Sequence, residues 1–156
     1  MKRLDDEYTL IRNAIRARYP ERTFTYMLPY LELEKLVHDS DHADIMTSFR
    51  NSKQLGLIKP PVVFSEDAGD VILDVNSRFF TDDIPYGLVI AKWIAEQLGI
   101  DTPFIRQVIM WSDKLRREHW VNEHTLKLDL AYCIEHKYAS GIPPSFGIND
   151  LDLILD

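Results

Sequence analysis

The centre of the chain reads RFFTDDIPYGLV, from Arg78 to Val89. It brings one arginine and two adjacent carboxylates to the approach of a predicted helix. The residues Thr81–Asp83 offer capping side chains, and Pro85 suits a first helical turn. An apolar stripe then runs as far as Leu98, and Gly99 predicts the end of this helix.

The chemistry of this stretch leaves two interpretations open. In the first, Asp82 and Asp83 cap the helix and favour its positive end, while Arg78 makes a local ion pair. In the second, the Arg78 guanidinium grips a substrate carboxylate through two parallel hydrogen bonds. An aspartate of the pair would then orient or charge a histidine that comes from elsewhere.

The residues before this stretch predict three helices. Apolar side chains recur at steps of three and four over Leu4–Tyr19, and Pro20 ends the pattern. A second helix lies within residues 26–36. Ser40 or Asp41 is expected to cap the third.

The remaining segments complete a mainly α fold. After a proline break, residues 62–75 form two β-rich runs around a turn and predict a small β-hairpin. Further helices are expected from Thr102 to Arg117, from His124 to Lys137, and in the tail after Asn149. The sequence therefore predicts one multi-helical domain over residues 1–156 with a minor hairpin.

Composition narrows the class of protein. The chain has 156 residues, of which 46% are hydrophobic and 28% charged, as is usual for a globular domain. Its net charge of −7 argues against a nucleic-acid partner and against an anionic membrane surface. A single cysteine, the absence of a signal-peptide pattern and short apolar runs predict a cytoplasmic protein.

Three groups of side chains could carry other chemistry. His38 and His42 stand four apart and could share a metal on a helix, but a solvated polar helix start is favoured. His119, Glu123 and His124 match no spacing of metal ligands, and a polar connection is favoured there. The sequence also lacks a glycine fingerprint and a phosphate loop, so the chain alone is not expected to hold NAD or ATP.

Cys133 and His136 are three apart on a predicted helix, where a nucleophile and its base could meet. A lone cysteine in such a place is more often a small buried hydrophobic residue. The tryptophans Trp93, Trp111 and Trp120 lie on helical stretches and are interpreted as core or interface residues.

The central stretch resembles a known family. RFFTDDIPYGLV is followed by LGIDTP at Leu98–Pro103. Together they are similar to the helical C-terminal domain of the octopine/nopaline (opine) dehydrogenases, which show Arg-Tyr-x-Thr-Glu-Asp-aliphatic-Pro-Tyr-Gly-Leu-Val and then Leu-Gly-aliphatic-x-Thr-Pro. The later GIPPSFGI at Gly141–Ile148 resembles the staphylopine, pseudopaline and yersinopine branch, which makes nicotianamine-like metallophores.

The resemblance implies a function. Opine dehydrogenases hold NAD(P)H in an N-terminal Rossmann domain and reduce the imine that forms between an amine and a 2-oxo acid. By position in the motif, Asp83 would be the catalytic aspartate that partners a histidine. Arg78, Thr81 and Tyr86 would bind the substrate.

The sequence also differs from the family pattern, and the differences lead to further expectations. No Rossmann domain is found in the chain, and none of its five histidines inherits the catalytic role by motif. We therefore expect an isolated C-terminal domain that is inactive alone and binds no cofactor or metal. Its expected partners are the small-molecule amine and 2-oxo acid, the Rossmann domain of the same enzyme, and a second copy in a homodimer. The alternative is a stand-alone helical module for protein binding or dimerisation, without catalysis.

Overall fold

The computed structural model describes residues 1–53, 55–137 and 139–155. The chain divides into two compact units, Met1–Lys59 and Pro60–Asp156. A single domain over residues 1–156 stays a prediction. None of the described helices combines the length and the apolar character that a membrane crossing needs.

The first unit is helical in its described residues. It holds α1 (Lys2–Arg18), α2 (Tyr30–His38), α3 (Ile45–Asn51) and a 3-10 turn at Leu55–Leu57. Ile11 and Ile15 are both buried. They share one face of α1 because they are four residues apart. The predicted first and second helices are confirmed.

A partly buried aspartate joins α1 to α2. Asp5 Oδ1 accepts hydrogen bonds from Arg12 Nη2 at 3.0 Å and from the backbone N–H of Tyr30 at 3.1 Å. The first N–H groups of a helix have no partner inside the helix, so Asp5 satisfies one of them from a neighbouring helix. This contact holds the start of α2 against α1.

The predicted cap of α3 is wrong. Asp44, rather than Ser40 or Asp41, precedes the helix, and its side chain accepts from the N–H of Thr47 at 2.9 Å. Asp44 has the extended backbone that a capping residue needs, with φ −144°. Asp41 instead pairs with Lys35 at 2.9 Å on the surface.

The second unit begins with the predicted hairpin. β1 (Val62–Ser65) pairs antiparallel with β2 (Asp70–Leu73), with Val62 opposite Leu73 and Ser65 opposite Asp70. The reversal uses Gly69 at φ +62°, a conformation that glycine adopts without steric cost. The apolar side chains of both strands are exposed on both faces of the hairpin.

The helices of the second unit follow the hairpin. Their bounds are α4 (Arg78–Thr81), a π-helical segment (Asp83–Leu88), α5 (Val89–Gln97), α6 (Pro103–Arg116), α7 (Leu130–Glu135), a 3-10 turn at Pro143–Phe146, and α8 (Asp152–Leu155). As predicted, Gly99 follows α5 in the left-handed conformation and Pro103 opens α6. A short helix in the tail is also confirmed, although Asp156 lies outside the described residues.

The core of the second unit collects side chains from α5, α6, α7 and the loops around them. Its largest fully buried apolar members are Val89, Trp93, Ile105, Ile109, Trp120, Cys133 and Ile142. Trp93 and Trp120 are therefore core residues, as interpreted from the sequence, whereas Trp111 is 46% exposed and packs beside Phe80.

Glu96, one member of a buried ion pair within α5, links this helix to the segment after α6. Lys92 is 3% exposed, and its Nζ lies 2.8 Å from Glu96 Oε1. The same oxygen accepts from the backbone N–H of Leu128 at 3.0 Å. A buried charge is tolerated when it is paired and hydrogen-bonded, so Glu96 anchors this segment through both contacts.

The predicted helix from His124 to Lys137 is too long. The side chain of Asn122 accepts from the N–H groups of His124 and Thr125, both at 3.0 Å. Such a turn offers the backbone an alternative to a helix. Asp129 caps a helix that begins only at Leu130.

The fold class is confirmed. The described chain is mainly helical, and its strands form one small antiparallel hairpin.

Candidate functional site

The central motif starts its helix earlier than the sequence predicted. Ser77 precedes the first turn, and α4 begins at Arg78 rather than near Thr81. Neither the Asp82 nor the Asp83 side chain makes a capping hydrogen bond, so that part of the first interpretation is wrong, whereas the local ion pair that it gave to Arg78 is confirmed at Asp82. Both lie inside a nearly continuous helical stretch.

Pro85 explains the π segment that follows α4. A proline has no N–H to donate, and in a regular α-helix its ring clashes with the carbonyl four residues back, here that of Thr81. A π turn is wider, and the Val89 N–H accordingly reaches Ile84 O, five residues back. The motif thus runs through the helix with its register changed at the proline.

The polar side chains of α4 contact one another. Arg78 Nε lies 3.8 Å from Asp82 Oδ2, and both side chains are more than half exposed. Thr81 Oγ1 donates to Asp82 Oδ1 at 3.0 Å. An exposed pair at this distance contributes little stability, so Arg78 stays available to a ligand.

Asp83 and Tyr86 differ in their surroundings. The Asp83 carboxylate is exposed and has no hydrogen-bond or ion-pair partner among the described residues. Tyr86 packs its ring against Gly141, where an added Cβ would come within 2.6 Å of Tyr86 Cδ1. The glycine therefore lets the loop 140–144 lie directly on the motif.

A groove of about 390 Å³ opens beside the motif in the second unit. Its described lining is Phe80, Thr81, Asp82, Pro85, Tyr86, Arg116, Glu118, Trp120 and Ala139. The structure thus brings Thr81 and Tyr86 to one surface. Arg78 and Asp83 are not part of that lining.

Sequence reasoning missed a polar network on the far wall of this groove. Glu118 Oε1 accepts from Arg116 Nε at 2.9 Å, and Glu118 Oε2 accepts from Trp120 Nε1 at 2.9 Å. Arg116 also donates to the carbonyl oxygen of Val75. Bonds to an ionised carboxylate are strong, so this wall is held rigid. The only signal of this network in the sequence was the spacing of Arg116, Glu118 and Trp120, which stand two residues apart.

The histidine groups do not gather into a metal centre. His38 Nε2 lies 3.9 Å from Glu34 Oε1, and with His42 it lines a surface pocket of the first unit. Within residues 1–53, 55–137 and 139–155, no three His, Cys, Asp or Glu side chains lie close enough to hold a metal ion.

Cys133 is a buried residue of the core. It is fully buried, and its burial raises the pKa of the thiol to about 12. Its Sγ contacts the carbonyl oxygen of Trp120 at 4.0 Å, while His136 packs on Tyr132. A nucleophilic cysteine needs a lowered pKa and access, so the interpretation as a hydrophobic core residue is supported.

The described chain is mainly helical, and the motif Arg78–Val89 lies within a helical stretch of its second unit. The family model described as "NAD/NADP octopine/nopaline dehydrogenase, alpha-helical domain" matches residues 1–116. The chain belongs to this family.

Curated relatives agree with that assignment. The chain is 26% identical to an opine dehydrogenase of Haliotis discus hannai, over 98% of this chain and 37% of the relative. It is 31% identical to a tauropine dehydrogenase of Arabella iricolor, over 74% and 28%. An octopine dehydrogenase of Pecten maximus is 29% identical, over 93% and 35%. The chain thus spans about a third of the length of these relatives.

Solved structures show the same fold. Octopine dehydrogenase in complex with NADH and agmatine superposes with a TM-score of 0.76 at 24% identity, over 98% of this chain and 37% of that one. A complex of octopine dehydrogenase with NADH and L-arginine gives 0.74 at 23% identity, over 97% and 36%.

Proposed function

We propose that the chain is the substrate-side helical domain of an NAD(P)H-dependent opine dehydrogenase. The observation that carries this proposal is the family match over residues 1–116, which includes the whole of Arg78–Val89. The complete enzyme would condense an amine with a 2-oxo acid and reduce the resulting imine. The hydride would come from the cofactor, held by a Rossmann domain outside this chain.

In this proposal Asp83 is the catalytic aspartate. Its carboxylate is exposed and has no partner in the described structure, so it is free to orient and charge a histidine from another part of the enzyme. The exposed guanidinium of Arg78 would hold a substrate carboxylate. Thr81 and Tyr86 would contact the substrate from the groove.

The test is an assay of NADH and NADPH oxidation by the complete enzyme that contains this domain, with pyruvate as the 2-oxo acid and L-arginine or agmatine as the amine. Asp83→Asn should lower kcat by roughly a hundredfold or more, as expected for the loss of an acid–base group. Arg78→Gln should mainly raise KM for the 2-oxo acid. Asp67→Asn removes the same charge from the exposed hairpin turn and should change neither constant. Normal turnover in both Asp83→Asn and Arg78→Gln would contradict the proposed function.

The identity of the amine substrate is a more specific part of the proposal. Resemblance at Gly141–Ile148 favours the metallophore-making branch, whereas the relatives described above are opine, tauropine and octopine dehydrogenases. A panel of L-arginine, agmatine and a nicotianamine-like amine separates these cases by kcat/KM. Preference for the last would support the metallophore branch, and preference for arginine would exclude it. The cytoplasmic location likewise stays a prediction, supported by the single cysteine.

A second candidate function is a dimerisation module, and the hairpin favours it. The exposed fractions of Val62, Val63, Phe64, Val71, Ile72 and Leu73 lie between 40% and 64%. An isolated two-stranded hairpin with apolar side chains on both faces is marginal in water and its edges are open to pairing. Sedimentation of the wild type and of Val63→Lys tests whether the hairpin forms an interface. Two monomers exclude this function, and a dimer that the substitution dissociates supports it, although the dehydrogenase proposal also allows a homodimer.

A further inference from the structure

A second pocket of the Pro60–Asp156 unit lies at the C-terminal end of α6. It has a volume of about 260 Å³ and shares Glu118 with the motif groove, but none of Arg78, Thr81, Asp83 or Tyr86 lines it. Nothing in the proposed reaction uses this pocket.

Asp113 makes the pocket unusual. The residue is only 8% exposed, and its Oδ2 accepts a long 3.3 Å hydrogen bond from the N–H of Val121. Its Oδ1 is buried and has no hydrogen-bond partner in the described part of the chain. A buried polar atom without a partner costs free energy, so it calls for a ligand or a water molecule. The carboxylate also lies in the last turn of α6, where the helix dipole disfavours an anion.

The other charged side chains around the pocket have both signs. Lys114, Arg117 and Glu123 are exposed and have no ion-pair partner among the described residues. Both oxygens of Glu118, in contrast, are occupied by Arg116 and Trp120. The free groups of the pocket are therefore two carboxylates and two cations, with His119 beside them.

This pattern favours an organic zwitterion over a metal ion. The described residues contain no group of three ligating side chains close enough to hold a metal. The ammonium group of an amino acid offers three N–H donors to the carboxylates of the pocket. Its own carboxylate can accept from the Arg117 guanidinium and from the Lys114 ammonium group. A pocket of this volume has room for one small amino acid.

We propose that this pocket binds a free α-amino acid. The ammonium of the ligand lies against Asp113 and Glu123, and its carboxylate lies against Lys114 and Arg117. Because Oδ1 of Asp113 is covered, binding requires a small rotation of the carboxylate, and that torsion is soft in aspartate. The proposal is independent of the opine dehydrogenase assignment.

The experiment titrates the 156-residue chain with three matched probes, followed by NMR chemical shifts. L-valine carries both charges, isobutylamine carries only the ammonium, and isobutyrate carries only the carboxylate. Saturable shifts at the end of α6 are expected for L-valine. Either single-charge probe should bind at least about tenfold more weakly, because each loses one set of charged hydrogen bonds.

Three variants make the test specific. Asp113→Asn should weaken L-valine about tenfold or more, and Arg117→Gln should weaken L-valine while leaving isobutylamine unchanged. Asp101→Asn is the control, since Asp101 is exposed and pairs with Arg106 near the other end of α6. A thermal melt verifies that each variant is folded. The absence of saturable shifts, equal affinity for isobutylamine and L-valine, or unchanged affinity in folded Asp113→Asn would each overturn the proposal.

Discussion

Asp113 couples the stability of the second unit to pH. Burial raises the pKa of its carboxyl from 3.8 to about 6, with a smaller contribution from Glu118, against the backbone N–H groups of Val121 and Trp120 and the charge of His119. The folded state therefore binds the proton more tightly than the unfolded state. The stabilisation that protonation provides is complete below about pH 4 and is lost as pH rises through about 6.

Asp113→Asn should accordingly stabilise the chain at neutral pH. The expected gain in the free energy of unfolding is up to ~3 kcal/mol at pH 7.5, and it should vanish near pH 4. Urea denaturation at both pH values measures it, with the exposed Asp101→Asn as control. A gain of equal size at both pH values would contradict the assignment of the pKa shift to Asp113.

Gly141 is required by close packing rather than by its backbone. An added Cβ would lie 2.6 Å from Tyr86 Cδ1 and 3.1 Å from Ile90 Cδ1. Gly141→Ala should therefore cost about 1–3 kcal/mol through overpacking.

Gly87→Ala is the matched control for that substitution. Gly87 lies in the π segment and an added Cβ meets nothing within 4 Å, so alanine should be neutral or stabilise by up to about 1 kcal/mol. Thermal unfolding of the two variants compares them directly. Equal effects would mean that the contact with Tyr86 is not what keeps a glycine at 141.

Among the helices, the start of α3 shows which of two nearby aspartates acts as the cap. Asp44→Ala should lower the denaturant midpoint, because the side chain satisfies the Thr47 N–H. Asp41→Ala, at a position that the sequence also favoured, should lower it less, since it removes only an exposed pair with Lys35. Denaturant midpoints of both variants decide which aspartate is the cap.

The elements themselves were largely predictable, whereas several of their boundaries were not. Apolar spacing and the prolines and glycines around it located α1, α2, α6 and the hairpin. The start predicted for α4 and the length predicted for α7 were wrong. The Asn122 side chain binds the N–H groups of His124 and Thr125, where the sequence predicted a helix to begin, and residue spacing does not reveal such competition.

At the scale of the whole molecule, we predict that the chain alone neither binds NADH nor oxidises it. Its sequence has no glycine fingerprint for a dinucleotide, and the pockets described above are small. Titration of NADH fluorescence with the chain measures binding, and the absorbance of NADH with pyruvate and L-arginine measures turnover. Saturable binding of NADH would contradict this prediction.

The candidate site was predicted in part. The motif located Arg78, Thr81, Asp83 and Tyr86, whose roles stay predictions. The structure places Thr81 and Tyr86 on one groove. Arg116, Glu118 and Trp120 complete its wall from a part of the chain 30 or more residues away, and a local pattern cannot report that proximity.

The helical class, the hairpin and the family motif could all be recognised in the amino-acid sequence. These follow from local signals: apolar periodicity, proline and glycine punctuation, and a run of twelve ordered residues. The packing of the folded chain was needed to see that Arg116, Glu118 and Trp120 wall the groove beside the motif, and that Asp113 is buried with no hydrogen-bond partner for one oxygen among the described residues. These outcomes depend on which distant groups pack against each residue, because packing and desolvation sum over contacts that are far apart in the chain.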